Sequence, residues 1–142
     1  MDYIDDDYIG LLQYFVMSGR KRPNTIYGVI IFAICEDQAK NTVLLVDSAE
    51  GDENMLKIMR NWQETYHDCI SKLAKDIGAK QVVYNVSTGN TVPKEFLKYL
   101  TGKLSKSRVY LTKKGNLKGE PYLESFEGDE PKGNVDGFVE AL

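Results

Sequence analysis

The sequence predicts a single α/β domain of the α+β kind, with a mixed, mostly antiparallel sheet and one long central helix. Three observations predict it. Residues Asn54–Ile77 carry apolar side chains at helical spacing over several turns. Thr25–Cys35 and Thr42–Asp47 are β-branched apolar runs joined by a short polar turn. Gln81–Ser87 is a third such run, and it follows the helix, so the chain contains a strand–helix–strand unit. A length of 142 residues suits one domain with a core of its own.

Taken in order, Asp5–Met17 reads as a short helix. Ile9, Leu12, Phe15 and Val16 recur at helical spacing, the aspartates suit a helix N-terminus, and Ser18-Gly19 ends it. Arg20–Asn24 is a basic loop containing Pro23. Thr25–Cys35 is apolar at nearly every position, the mark of a strand covered on both faces. The turn Glu36–Asn41 is too short for a crossover, so Thr42–Asp47 pairs with it antiparallel.

In the long helix, Met55, Ile58, Met59, Trp62, Tyr66, Cys69, Ile70, Leu73 and Ile77 form the core stripe. His67 falls at its boundary, and Gly78 is the left-handed stop. Gln81–Ser87 is then a parallel neighbour of Thr42–Asp47. Pro93 opens a short helix that ends near Leu100, with Gly102 after it. Arg108–Thr112 and Pro121–Phe126 are the last strands, hairpinned through a turn at Lys113–Gly119. The domain is expected to span 1–126, with 127–142 a loose C-terminal arm.

Composition narrows the function. No apolar run reaches the roughly 18–20 residues of a membrane span, and the acidic N-terminus is unlike a secretory leader. A cytoplasmic location is expected. Two cysteines, Cys35 and Cys69, support neither a disulfide framework nor a metal site and read as reduced core thiols. The single histidine, His67, leaves no metal cluster to build. Charge is segregated: Asp2–Asp7 is acidic, Arg20–Arg22 basic, Lys94–Lys118 carries eight basic residues against Glu95, and the chain from Gly119 is acidic again. Such asymmetry marks either a polyanion site or a solvated surface whose patches neutralise one another.

The order of helix, antiparallel hairpin, long helix, strand, short helix and hairpin, together with Asn90, Phe96 and Gly102 after the third strand, resembles the GCN5-related N-acetyltransferase (GNAT) fold. The resemblance is strongest from Val29 to Phe126 and implies an acetyl-CoA site at the turn that leads into the long helix. There the family carries a Gly-rich turn whose backbone N–H groups cradle a diphosphate. Here the turn is Ser48-Ala49-Glu50-Gly51-Asp52-Glu53-Asn54, with one glycine and three carboxylates. If CoA binds, Gly51, Asp52, Glu53 and Asn54 hold the diphosphate and Asn90 orients the pantetheine arm. The carboxylates oppose that, at about 1 kcal/mol per like-charge contact in water.

The resemblance also implies a tyrosine acid in the short helix. That place is taken by Leu97; Tyr99, Tyr84 and Tyr66 are the nearby alternatives, and Glu36 and Asp47 are the weakest of base candidates. No catalytic residue is assigned. The run Gly89-Asn90-Thr91 followed by Phe96-Leu97 is similar to small internal virion proteins of short-tailed bacteriophages, which implies a virion or host cytoplasm as the setting.

Three functions compete at this stage. The first is a non-catalytic GNAT-like module that acts through protein contacts and needs no cofactor. The second is an acetyl-CoA-dependent N-acetyltransferase with an atypical loop. The third is a polyanion binder using Arg20–Arg22 and Lys94–Lys118, with Tyr99, Tyr110 and Tyr122 as stacking surfaces.

Overall fold

The computed structural model describes residues 9–16, 25–51, 61–86, 92–114, 123, 125–126 and 132–142. Among them are six strands and two helices: β1 (Ile9–Val16), β2 (Thr25–Glu36), β3 (Thr42–Gly51), α1 (Trp62–Asp76), β4 (Gln81–Asn85), α2 (Lys94–Lys103), β5 (Ser105–Lys113) and β6 (Lys132–Ala141). The fold is α+β on one mixed sheet of order β1-β2-β3-β4-β6-β5. Only β3 and β4 run parallel among these pairs, and α1 is the crossover between them. β5 returns to β2 through Cys35↔Lys113 and Glu36↔Thr112, so β2, β3, β4, β6 and β5 close into a ring.

The ring divides the core in two. Inward-facing Ala33, Cys35, Val43, Leu45, Val83, Leu111 and Val135 pack with Leu123 and Phe126. The alternate residues Leu44, Val46, Val82, Tyr84 and Phe138 face outward and meet Trp62, Tyr66, Ile70 and Ala74 of α1 and Phe96 and Leu100 of α2. This is why β2 reads as apolar at nearly every position and β3 does so from Val43 to Val46: each has a core on both sides. Phe96, fully buried, lies 5.5 Å from Tyr66 and 5.8 Å from Tyr84 edge-on, and 6.1 Å from Trp62. Edge-to-face pairs of this kind add about 0.5–1.5 kcal/mol each beyond area burial.

The helix α1 ends as its sequence requires. Gly78 takes φ 74°, its N–H bonds to the Lys75 carbonyl, and the Ala79 N–H reaches back to the Ala74 carbonyl at 2.9 Å. This is the paired capping that a left-handed glycine permits. The predicted start differs. Asn61 adopts φ 54°, left-handed, so a right-handed helix cannot run unbroken from Asn54 to Ile77. Residues 52–60 lie outside the described part of the chain. The buried stripe is Trp62, Tyr66, Ile70 and Ala74; Cys69, expected in it, is exposed on the far side.

Four further expectations are corrected. Ile9–Val16, read as helix, is β1, paired antiparallel along Thr25–Ala33 of β2. Its apolar residues satisfy either period, no charge within it marks a polar helical face, and the free edge of β2 supplies a complete ladder. Gly10 there lies directly under the Phe32 ring, where a side chain would collide. The short helix α2 runs on through Gly102 to Lys103 and closes on the Leu104 N–H to Leu100 carbonyl bond. Leu123, Ser125 and Phe126, expected in a strand, form a turn instead, with the Phe126 N–H bonded to the Leu123 carbonyl. The expected loose arm contains β6, which lies between β4 and β5 and pairs with β5 over Lys132–Val139 and with β4 over Gly137–Ala141.

Two glycines test this geometry. A Cβ at Gly137 would overlap the Tyr84 carbonyl oxygen and sit 3.1 Å from Val83, so Gly137→Ala is expected to destabilise by about 1–3 kcal/mol. Gly102 is helical with open space around it, so Gly102→Ala is expected to stabilise by roughly 0.4–1 kcal/mol. Urea unfolding of both variants reads the opposite signs.

Candidate functional site

Ligands of sheets with parallel strands bind beyond the carboxyl ends of those strands, where the chain diverges. In this fold that place is the end of the β3–β4 ladder, after Val46↔Tyr84. The sequence changes character there from apolar to polar: Asp47 and Ser48 on β3, Asn85 on β4, all buried.

Asp47 is the extra residue of a β-bulge, since Phe32 pairs with Val46 and Ile31 with Ser48. A bulge re-aims a side chain and bends its strand. Here it turns the carboxylate inward. Asp47 Oδ1 accepts the Ser125 backbone N–H at 2.7 Å and the Ser125 hydroxyl at 2.5 Å. The Asn85 side-chain amide donates to the Asp47 carbonyl at 3.1 Å, bridging β3 and β4 just past their last ladder pair. Leu123 and Phe126 pack beside it in the ring interior. The end of the parallel pair is therefore filled by the chain's own groups.

Cys35 and Lys113, paired across β2 and β5, complete the buried polar set. Burial pushes the Cys35 thiol up to about 12; the nearby Lys113 charge opposes this and Asp47 adds to it. A protonated, enclosed thiol is neither a nucleophile nor a metal ligand. The Lys113 ammonium donates to the Lys114 carbonyl at 3.1 Å.

A second polar cluster lies on the helix side. His67 Nε2 is 2.6 Å from Glu140 Oε2, and the Ser71 hydroxyl donates to Glu140 Oε1 at 3.1 Å. Both side chains address the carboxylate, and no hydrogen bond joins Ser71 to His67 among the described residues. The trio ties α1 to β6, and among the described residues it does not join Ser71 to His67 as a nucleophile–base pair.

The residues singled out from the sequence are dispersed. Gly51 is the last residue of β3 and pairs with Gly28, so the first half of the expected turn, Ser48–Gly51, is strand. Asp52, Glu53, Asn54 and Asn90 lie outside the described residues, as do Arg20–Arg22 and Tyr122; of the turn expected at Lys113–Gly119, Lys113 ends β5 instead and residues 115–119 lie outside the described part.

The candidate acids are packing residues. Tyr84 is fully buried, its hydroxyl has no hydrogen-bond partner among the described residues, and burial, then the Glu140 charge, push its pKa up. Tyr66 is buried, and Leu97 packs against the helix-side core. Tyr99 stacks on Phe96 under the Lys103 ammonium. Glu36 closes β2, half-buried. Within the basic stretch Lys94, Lys98, Lys103, Lys106 and Arg108 are exposed, whereas Lys113 is buried.

Sequence reasoning missed Ser125, Lys113 and Glu140 as partners. Their separations from Asp47, Cys35 and His67 are too long for any local pattern, and only the ring closure joins them. Among the described residues no group of His, Cys, Asp and Glu could hold a metal ion. No helix among them is long and apolar enough to cross a membrane.

Asp47→Ala leaves the Ser125 N–H and hydroxyl buried without their acceptor and is expected to cost about 1–3 kcal/mol in urea unfolding. A thiol reagent is expected to modify Cys69 in the native chain and to reach Cys35 only on unfolding. Between pH 9 and 12 the unfolded Cys35 thiol ionises while the native one keeps its proton. The unfolded chain then binds fewer protons, so this residue lowers stability as pH rises through that window, and the fall is expected to be shallower in Cys35→Ala. Comparison of the chain with known families, curated proteins and solved structures gives no match.

Proposed function

We propose that the chain is a non-catalytic module with a GNAT-like fold whose work is protein contact. The element order supports the fold: an antiparallel hairpin β2–β3, a crossover helix, a parallel strand β4, a short helix and an antiparallel β5–β6 pair. The observation that carries the functional reading is the closed end of the β3–β4 pair. The family resemblance implies a gap there for the cofactor arm. In this chain the Asn85 amide bridges it, and Ser125, Leu123 and Phe126 occupy its inner side around the Asp47 carboxylate. Carboxylates at Glu50, Asp52 and Glu53 add a charge that repels a diphosphate. A phage particle is the setting that the Gly89-Asn90-Thr91 and Phe96-Leu97 resemblance suggests.

Titration calorimetry with acetyl-CoA and with CoA tests the reading. The folded chain is expected to give no heat of binding at millimolar ligand and to transfer no labelled acetyl group to an amine panel. Micromolar CoA binding overturns the proposal and restores the acetyltransferase.

A further inference from the structure

Among the described residues, the β5 strand has one edge that is only partly paired. β6 pairs with one side from Ser105 to Thr112, but β2 reaches the other side only at Thr112 and Lys113. Ser105–Arg108 is exposed at four successive positions, hence on both faces of the sheet.

The direction of each backbone group there follows from two hydrogen bonds. The Val86 N–H donates to the Asp136 carbonyl, so the Asp136 backbone faces β4. Its opposite residue, Arg108, must then turn its own N–H and C=O away from β6. The Lys114 N–H donates to the Ile34 carbonyl of β2, which places every even residue of β5 in the same outward sense. Lys106, Arg108 and Tyr110 thus present an unpaired row of donors and acceptors among the described residues. A shallow cleft of about 290 Å³ lined by Val86, Lys106, Ser107, Asp136 and Gly137 adjoins the row.

We propose that this edge accepts an extended acidic segment of a partner protein as an added strand. The inference rests on the protein-contact reading above and names its surface. The backbone row fixes the mode of binding, because alternating N–H and C=O groups match another main chain. Charge selects the occupant. Lys103, just before β5, and Lys106 on it are exposed, and among the described residues Arg108 is neutralised, by Asp136 at 2.8 Å. A second copy pairing through β5 would set Lys106 and Arg108 against their own kind, which is destabilising for facing pairs. Lysine on an edge commonly guards against such self-pairing, and the same charge favours a carboxylate-bearing strand.

The test uses the full chain and a capped octapeptide alternating Glu with Val. Its Lys-for-Glu counterpart and a single-stranded oligothymidylate serve as comparison ligands. The acidic peptide is expected to bind at low salt and to shield the Lys106, Arg108 and Tyr110 amides from hydrogen exchange. Lys106→Pro removes an outward N–H and leaves the β5–β6 ladder intact, so it is expected to weaken binding about tenfold or more. Lys106→Ala keeps the N–H and is expected to lose less. Absence of acidic-peptide binding overturns the proposal. So does equal binding of the Lys peptide, or indifference to Lys106→Pro. Tighter binding of the oligonucleotide without amide protection overturns it in favour of a polyanion surface. CoA calorimetry reads the underlying reading separately: a silent CoA titration with no peptide binding removes the edge alone.

Discussion

The parallel contact between β3 and β4 constrains the rest of the fold. Four consecutive pairs, Val43↔Gln81 to Val46↔Tyr84, set two strands side by side in the same direction. That arrangement forces a crossover, which α1 supplies, and it demands cover on both faces because the central residues are apolar in both senses. The helices cover one face around Phe96. On the other face the described residues include no helix, and closure of the sheet through β6 and β5 onto β2 covers it. Loss of this pair would release α1, unseat Phe96 and open the ring together.

The same contact explains where polar residues are buried. A parallel ladder leaves backbone groups unsatisfied where its strands part, and buried backbone groups need partners. Asn85 serves the Asp47 carbonyl at that point, and the bulge turns the Asp47 side chain toward Ser125. The polar cluster reads as the fastening of a strand end. Its chemistry agrees: Cys35 holds its proton far above neutrality, and His67 serves Glu140 on the opposite side of the sheet. Among the described residues, the outer edge of β5 is left exposed and without a ladder partner from Lys106 to Tyr110.

How far the sequence could be read depended on how local each cause was. β2, β3, β4, the core of α1 and the glycine stop at Gly78 were legible because each follows from neighbours in the chain: continuous β-branched runs, apolar steps of three and four, one left-handed residue. β1 was misread because its apolar pattern fits both periods, and the choice lay with the free edge of β2. β6 was missed because Gly133, Asn134, Asp136 and Gly137 have poor strand propensity. Gly137 is there for a tertiary reason, the approach of the Tyr84 carbonyl. The candidate site was half legible. Asp47 was noticed at a strand end, whereas Ser125, distant in sequence, had no signal of its own.

By itself the sequence determined a mixed sheet with a crossover helix, a core covered on two sides, and a concentration of three carboxylates between Ser48 and Asn54. Each of these is a short-range property of composition and spacing. Tertiary structure decided that the described helix starts at Trp62, that the acidic tail region contributes a strand inside the sheet, and that Asn85 and Ser125 converge on Asp47 where the β3–β4 ladder ends. Those outcomes depend on closing long loops, where the gain comes from ladders and buried contacts between residues far apart. A helical stripe read along the chain shows that α1 packs; only the closed ring shows what it packs beside.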